Sequence, residues 1–392
     1  MIGLQKMYNS RKALIFGTVG MLIAFMSWSS LAPLISNFGQ LSNLTATNQK
    51  VLVAVPVLFG SVLRIPFGLL TDKYGGKKLF ILSFLFSLIP LMLIYFFMTF
   101  HKLSTLNLFV IGLLLGISGA IFAVSNAYVS KFYPENKQGI ILGIVGMGTV
   151  GNAIGAAILP WIAHQFNGIL SSYLFLLILT ILFLVTFIIW SDESPKIEKI
   201  ELKSQLKTLK NSKLWSLALS CMLISGSFVA FGSMLPIIFG IKSSFGLNAV
   251  MAGLLSSLFS ILTIVFRPIG GYLADRKNPI FLIYSSVVSI SILLFLMSFF
   301  TKNFVILVIG FVLFGTLIGF ANGYIFKLTA NISKVNIGIS TGFVGAVGSF
   351  GGFVFPIVFA LLGKLQLGFL FLSLFSLCCI LMMLLGFRKR TR

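Results

Sequence analysis

"RIPFGLLTDK" (residues 64–73) and "RPIGGYLADR" (residues 267–276) are two copies of one pattern, Arg-x3-Gly-x3-Asp followed by a basic residue. Arg64, Gly68 and Asp72 thereby align with Arg267, Gly271 and Asp275. Two further echoes keep a similar register. "NAYVSK" (126–131) pairs with "NGYIFK" (322–327), and the glycine-rich "GIVGMGTVGNAIG" (143–155) pairs with "GFVGAVGSFGG" (342–352). The chain reads as two homologous halves, so whatever the first half builds the second half repeats.

Composition states where those halves reside. Of 392 residues, 58% are hydrophobic and only 9% charged, and the mean hydropathy is +1.08. No water-soluble core can absorb that much apolar surface, and apolar windows of about twenty residues recur throughout, the length that crosses a hydrocarbon layer. The expected fold is an all-α polytopic membrane protein with twelve transmembrane helices in two pseudo-symmetric six-helix bundles. Predicted spans are 12–36, 47–71, 78–99, 105–131, 138–163 and 169–190, then 214–240, 248–274, 278–300, 303–330, 337–363 and 367–387. This divides the chain into an N-terminal bundle (1–190), a linker (191–213) and a C-terminal bundle (214–392). The 42 Phe are read as lipid-facing bulk and the 38 Gly as close helix packing.

A net charge of +22 in a soluble protein would suggest nucleic acid. Here the positives follow topology instead. Lys6, Arg11, Lys12, Lys73, Lys77, Lys78, Lys131, the linker lysines and Arg388 to Arg392 fall on one side, with single lysines in the opposite loops. The positive-inside rule places both termini in the cytoplasm, in a cell (cytoplasmic) membrane. The linker spaces Ile197, Ile200, Leu206 and Leu209 either as an amphipathic helix on the anionic inner leaflet or as a solvated connector.

Arg64 and Arg267 each precede their Asp by eight residues, about 12 Å along a helix and therefore near the middle of a core of roughly 30 Å. A charge there costs at least about 2.5 kcal/mol on insertion scales and marks function by default. None of the seven acids is expected inside a span, so the countercharge is assigned to an anionic substrate. Two guanidinium forks suit a planar oxyanion through paired hydrogen bonds. His101 and His164 are expected in short external loops, which leaves no proton carrier in the site and favours anion exchange. Cys221, Cys378 and Cys379 show no ligand spacing. No metal or cofactor is implied, and no nucleophile–base cluster suggests an enzyme.

The segment "GLLTDKYGGKK" (68–78) resembles the loop between helices two and three of the major facilitator superfamily. That resemblance makes Asp72, Lys73, Lys77, Lys78, Asp275 and Arg276 conformational latches. Together with "GAIFAVSNAYVSKFYPENKQG", "FVAFG", "FRPIGGYLADR", "ANGYIFKL" and the two glycine-rich stretches, the chain is similar over nearly its full length to nitrate/nitrite porters of the NarK/NasA type. The resemblance implies a monomeric secondary transporter in which Arg64 and Arg267 clamp the anion and Phe122 contacts it. Gly143, Gly146, Gly148, Gly342, Gly345 and Gly348 would form sliding or bending surfaces. The family's Gly-x-Gly-Asn motif on helix five is altered here: Thr149 follows Gly148, and Asn152 stands one turn on. On helix seven Cys221 and Ser225 stand where relatives tend to carry aromatics. Asn126 and Asn322 form a matched amide pair, read equally as packing or as cavity residues. Nitrate and nitrite are the expected substrates. The alternatives are a small organic anion such as formate or oxalate, and an anion sensor that has lost transport.

Overall fold

Each long apolar run becomes a helix because lipid offers no partner for backbone N–H and C=O groups, which must bond within the segment. The computed structural model describes residues 2–41, 44–100, 103–166, 168–192, 202–240, 245–247, 249–333 and 336–387. Among them are twelve helices long and apolar enough to cross a membrane. Spans 1 to 6 are Asn9–Ile35, Val51–Tyr74, Gly76–Thr99, Thr105–Ser130, Glu135–Gln165 and Ile169–Trp190. Spans 7 to 12 are Ser212–Phe239, Met251–Arg276, Pro279–Phe299, Phe304–Ile332, Ile337–Leu362 and Leu365–Phe387. Their ends are chemically marked. Ser104 and Asn303 accept hydrogen bonds from the backbones of Asn107 and Ile306 at the starts of spans 4 and 10. Gly75 separates spans 2 and 3 at φ 100°, a conformation that favours glycine.

The chain forms two compact units. Unit 1 holds residues 1–133, 145–202 and 335–342, and unit 2 holds 134–144, 203–334 and 343–392. The first turns of span 5 thus belong with the second half's helices, and the first turns of span 11 with the first half's. The cause is local: a carboxylate from span 8 or span 2 holds each of these helix starts, as described below.

Phenylalanine serves as core as well as lipid-facing bulk, a correction to the expectation from composition. In unit 1, Phe80 stacks on Phe187 at 4.7 Å and on Phe84 at 5.4 Å, beside Tyr128. In unit 2, Phe231 meets Phe311 at 5.2 Å and Phe359 at 5.6 Å in edge contacts. Lipid is as apolar as these rings, so their burial reflects packing and ring geometry rather than escape from water.

Three acids are also placed differently from expectation, Glu135 being the first residue of span 5. Asp72 and Asp275 lie inside the last helical turns of spans 2 and 8, and Asp72 is fully buried. His164 is an exposed residue in the last turn of span 5 rather than a loop residue. His101, Lys102, Lys242, Lys334, the linker stretch 193–201 with Ile197 and Ile200, and the tail Arg388 to Arg392 lie outside the described residues. The rest of the linker contains a short helix, Leu202–Thr208, on which Leu206 is exposed.

Candidate functional site

Arg64 is 5% exposed and sits in a box supplied by spans 1 and 4. Its Nε donates to the Gly119 carbonyl at 3.2 Å. Its guanidinium carbon lies 4.6 Å from the Phe122 ring centre, 5.6 Å from Trp28 and 5.9 Å from Phe25. Trp28 is itself fixed, because its indole N–H donates to the Pro56 carbonyl at 2.7 Å. Each ring face offers a desolvated cation about 0.5–2 kcal/mol. These contacts orient the charge without cancelling it, since rings and carbonyls carry no net negative charge.

Arg267 is 6% exposed and lies 4.9 Å from the Phe326 ring centre on span 10. Around it the second half is more polar. Cys221, within electrostatic range of Arg267, lies 3.4 Å from the Ser225 hydroxyl. Ser225 donates to Asn322 Oδ1 at 2.5 Å, and Asn322 Nδ2 donates to its own helix at Ile318 at 3.1 Å. The matched amide of the first half is different: Asn126 is wholly buried, and among the described residues neither of its side-chain polar atoms has a hydrogen-bond partner.

Thr149 lies in a 3-10 turn, Gly148–Val150, that interrupts span 5, and its hydroxyl donates to the Gly146 carbonyl at 2.9 Å. Asn152, half-buried one turn on, keeps a buried Oδ1 that has no hydrogen-bond partner among the described residues. The glycines fit backbones closely. A Cβ on Gly148 would sit 2.6 Å from the Thr18 carbonyl, and one on Gly348 would sit 2.5 Å from Cys221 Sγ. Gly342 abuts the Arg64 carbonyl, and a Cβ on Gly143 would come 2.6 Å from Pro268 Cα. A glycine therefore rests against the backbone at each arginine. Gly345 accepts from the Ser349 hydroxyl at 2.9 Å.

At the other end of the repeated motif, Asp72 accepts from the backbone N–H of Gly338 at 3.0 Å and of Ile339 at 2.9 Å. Asp275 does the same for Gly139 at 2.9 Å and Ile140 at 2.8 Å. Each carboxylate therefore satisfies the unpaired donors at a helix start and meets the positive end of its dipole. The cations that reach them are Lys131, 3.9 Å from Asp72, and Lys327, 2.7 Å from Asp275. Burial pushes the Lys131 ammonium below its ordinary pKa, while neighbouring Asp72 pulls it back up. Lys327 also donates to the Glu135 carbonyl. The adjacent cations named from sequence point elsewhere. Lys73 and Lys78 lie over the Tyr74 ring, Arg276 lies over Tyr272, and Lys77 donates to the Ser191 carbonyl at 2.6 Å. Lys131 and Lys327 were visible as the repeated last residue of "NAYVSK" and "NGYIFK".

The helices approach most closely beside these caps. Gly68 contacts the backbone at Gly338, and Gly271 contacts the backbone at Gly139. A Gly271→Val variant is expected to lose the monodisperse peak in detergent chromatography, because its side chain would enter backbone that cannot yield. Overpacking costs typically about 1–3 kcal/mol even where side chains can move aside.

A family model described as Major Facilitator Superfamily matches residues 17–356. A probable nitrate transporter NarT of Staphylococcus epidermidis is 33% identical over 372 residues, covering 94% of each chain. A nitrite extrusion protein of Bacillus subtilis is 34% identical over 370 residues, covering 91% of this chain and 89% of that one. Among solved structures, the human organic anion transporter MFSD10 (TETRAN) aligns with a TM-score of 0.74 at 15% identity, over 95% of this chain and 99% of its own. The E. coli fucose:proton symporter FucP aligns at 0.73 and 14% identity, over 97% and 100%. At such identities the two structures speak for the fold alone.

Proposed function

The chain belongs to the Major Facilitator Superfamily, and from that membership we propose that it transports a small planar oxyanion, nitrate or nitrite, by alternating access. The carrying observation is a buried guanidinium at matching positions of the two halves, each stacked on an aromatic ring. A guanidinium from each half contributes to recognition of the anion, its planar fork matching in-plane oxygens through paired hydrogen bonds. The names of relatives a third identical over nearly the whole chain support the same substrate class. Transport proceeds as anion exchange through a monomer, with both termini cytoplasmic. The Asp72 and Asp275 caps act as latches that form and release once per cycle.

Nitrate/nitrite counterflow in proteoliposomes tests this reading. Liposomes loaded with unlabelled nitrite are expected to accumulate labelled nitrate transiently, with no imposed pH gradient. Uphill uptake driven by a pH gradient alone would refute the exchange mechanism, and saturable uptake of neither anion would refute the substrate. A small carboxylate such as formate is the second reading, favoured by the Cys221–Ser225–Asn322 chain that gives span 7 a polar wall. Competition against labelled nitrate separates the two.

A further inference from the structure

Span 4 carries a stripe that the arginine pair does not account for. Ser118, Gly119, Phe122, Ser125 and Asn126 recur at helical spacing and share one face. The middle of the stripe is the wall of the first half-site, because Gly119 receives the Arg64 Nε and Phe122 stacks on its guanidinium. The rest of the stripe holds Ser118 Oγ, Ser125 Oγ, and both Oδ1 and Nδ2 of Asn126. All three residues are 0% exposed, and none of these atoms has a hydrogen-bond partner among the described residues. Buried polar groups are almost always paired, and a run of orphans beside a cation calls for a ligand.

The second half has lost this feature. In the register of the repeated Asn-x-Tyr motif, Ser118, Phe122 and Ser125 correspond to Phe314, Ile318 and Ala321. Asn126 corresponds to Asn322, whose amide is already bonded to Ser225 and to Ile318. On span 5, Thr149 spends its hydroxyl on its own helix, and the orphaned atom of Asn152 is Oδ1, an acceptor that cannot donate to an anion. Span 4 therefore carries the largest group of buried unbonded polar atoms among the described spans, with single orphans such as Asn152 Oδ1 on span 5 and Ser227 Oγ on span 7.

We propose that Asn126 is a substrate-positioning and specificity-determining residue: its Nδ2 donates to an oxygen of the anion held by Arg64. Its Oδ1 and the hydroxyls of Ser118 and Ser125 serve water that accompanies the anion along the stripe. The two half-sites are consequently unequal. The first supplies charge and directed hydrogen bonds, and the second supplies charge from Arg267 against a self-satisfied wall. This deepens the transport reading given above and rests on it for the class of ligand, a small oxyanion with in-plane acceptors.

The test uses the purified full-length chain with nitrate, nitrite and formate, measuring binding by calorimetry and counterflow in proteoliposomes. In Asn126→Leu the KM for whichever of the three the wild type transports is expected to rise at least tenfold. The thermal midpoint without anion should stay unchanged or rise, since a buried orphan amide has been removed. Asn126→Asp, of the same shape, should abolish binding by placing a carboxylate beside Arg64, and it serves if the leucine variant misfolds. Binding by both variants within twofold of wild type would overturn the assignment. If the wild type takes formate and neither nitrate nor nitrite, the substrate reading fails while Asn126 is still judged on formate. If none of the three binds, both fall.

Discussion

Arg64→Lys and Arg267→Lys are each expected to lower nitrate counterflow by about 10- to 100-fold, the equivalent of one charged hydrogen bond worth about 1.5–3 kcal/mol. Lysine keeps the charge, so a purely electrostatic role would survive the change. What it loses is the planar fork that can hold two oxygens of one anion. The two variants should differ. Arg64 is stacked on Phe122 and flanked by Trp28 and Phe25, while Arg267 has Phe326 as its ring. An ammonium is more strongly hydrated than a guanidinium and fits the three-ring box poorly, so Arg64→Lys should be the more damaging substitution. Rates measured beside thermal midpoints in detergent separate a lost ligand from a damaged fold. Normal flux in both variants would eliminate paired hydrogen bonding to the substrate.

The second large effect is expected at the carboxylate caps. Asp275→Asn removes one of two acceptor oxygens at the start of span 5 and strands Lys327, whose ammonium lies 2.7 Å from that carboxylate in a largely buried setting. Breaking one side of a buried ion pair costs about 3–5 kcal/mol. Counterflow is expected to fall at least tenfold, with a measurable drop in thermal midpoint. Asp72→Asn leaves the same kind of cap on span 11 half-made. Its lysine, however, stands 3.9 Å away, so the direct ion pair that is lost is the weaker one. The Asp72 variant should therefore be the milder of the two. Equal losses in both would mean that the helix-start bonds dominate and the lysines contribute little.

Much of this was legible from residues alone. Twelve spans were found to within a few residues, because span length and apolarity are set by bilayer thickness and need no knowledge of partners. Duplication was visible in three matched motifs, which also located the arginines, the carboxylates and the lysines now seen beside them. The assignment of cations was less secure. Lys73 and Arg276 adjoin their aspartates in sequence, yet neighbours on a helix point in different directions. Lys131 and Lys327, from spans 4 and 10, are the residues that arrive.

Period, length and repetition are local properties, and from them the sequence by itself determined the membrane class, the span count, the two-fold repeat and the singular cost of two mid-span arginines. Only the tertiary structure decided which atoms are already spoken for. Asn126 and Asn322 are identical in motif, and no pattern distinguishes them. A serine on span 7 satisfies one amide, and among the described residues nothing satisfies the other. Likewise, Asp72 and Asp275 could be read as charges but not as helix caps. Their partners are backbone N–H groups more than a hundred residues away, and every residue type except proline carries the same N–H.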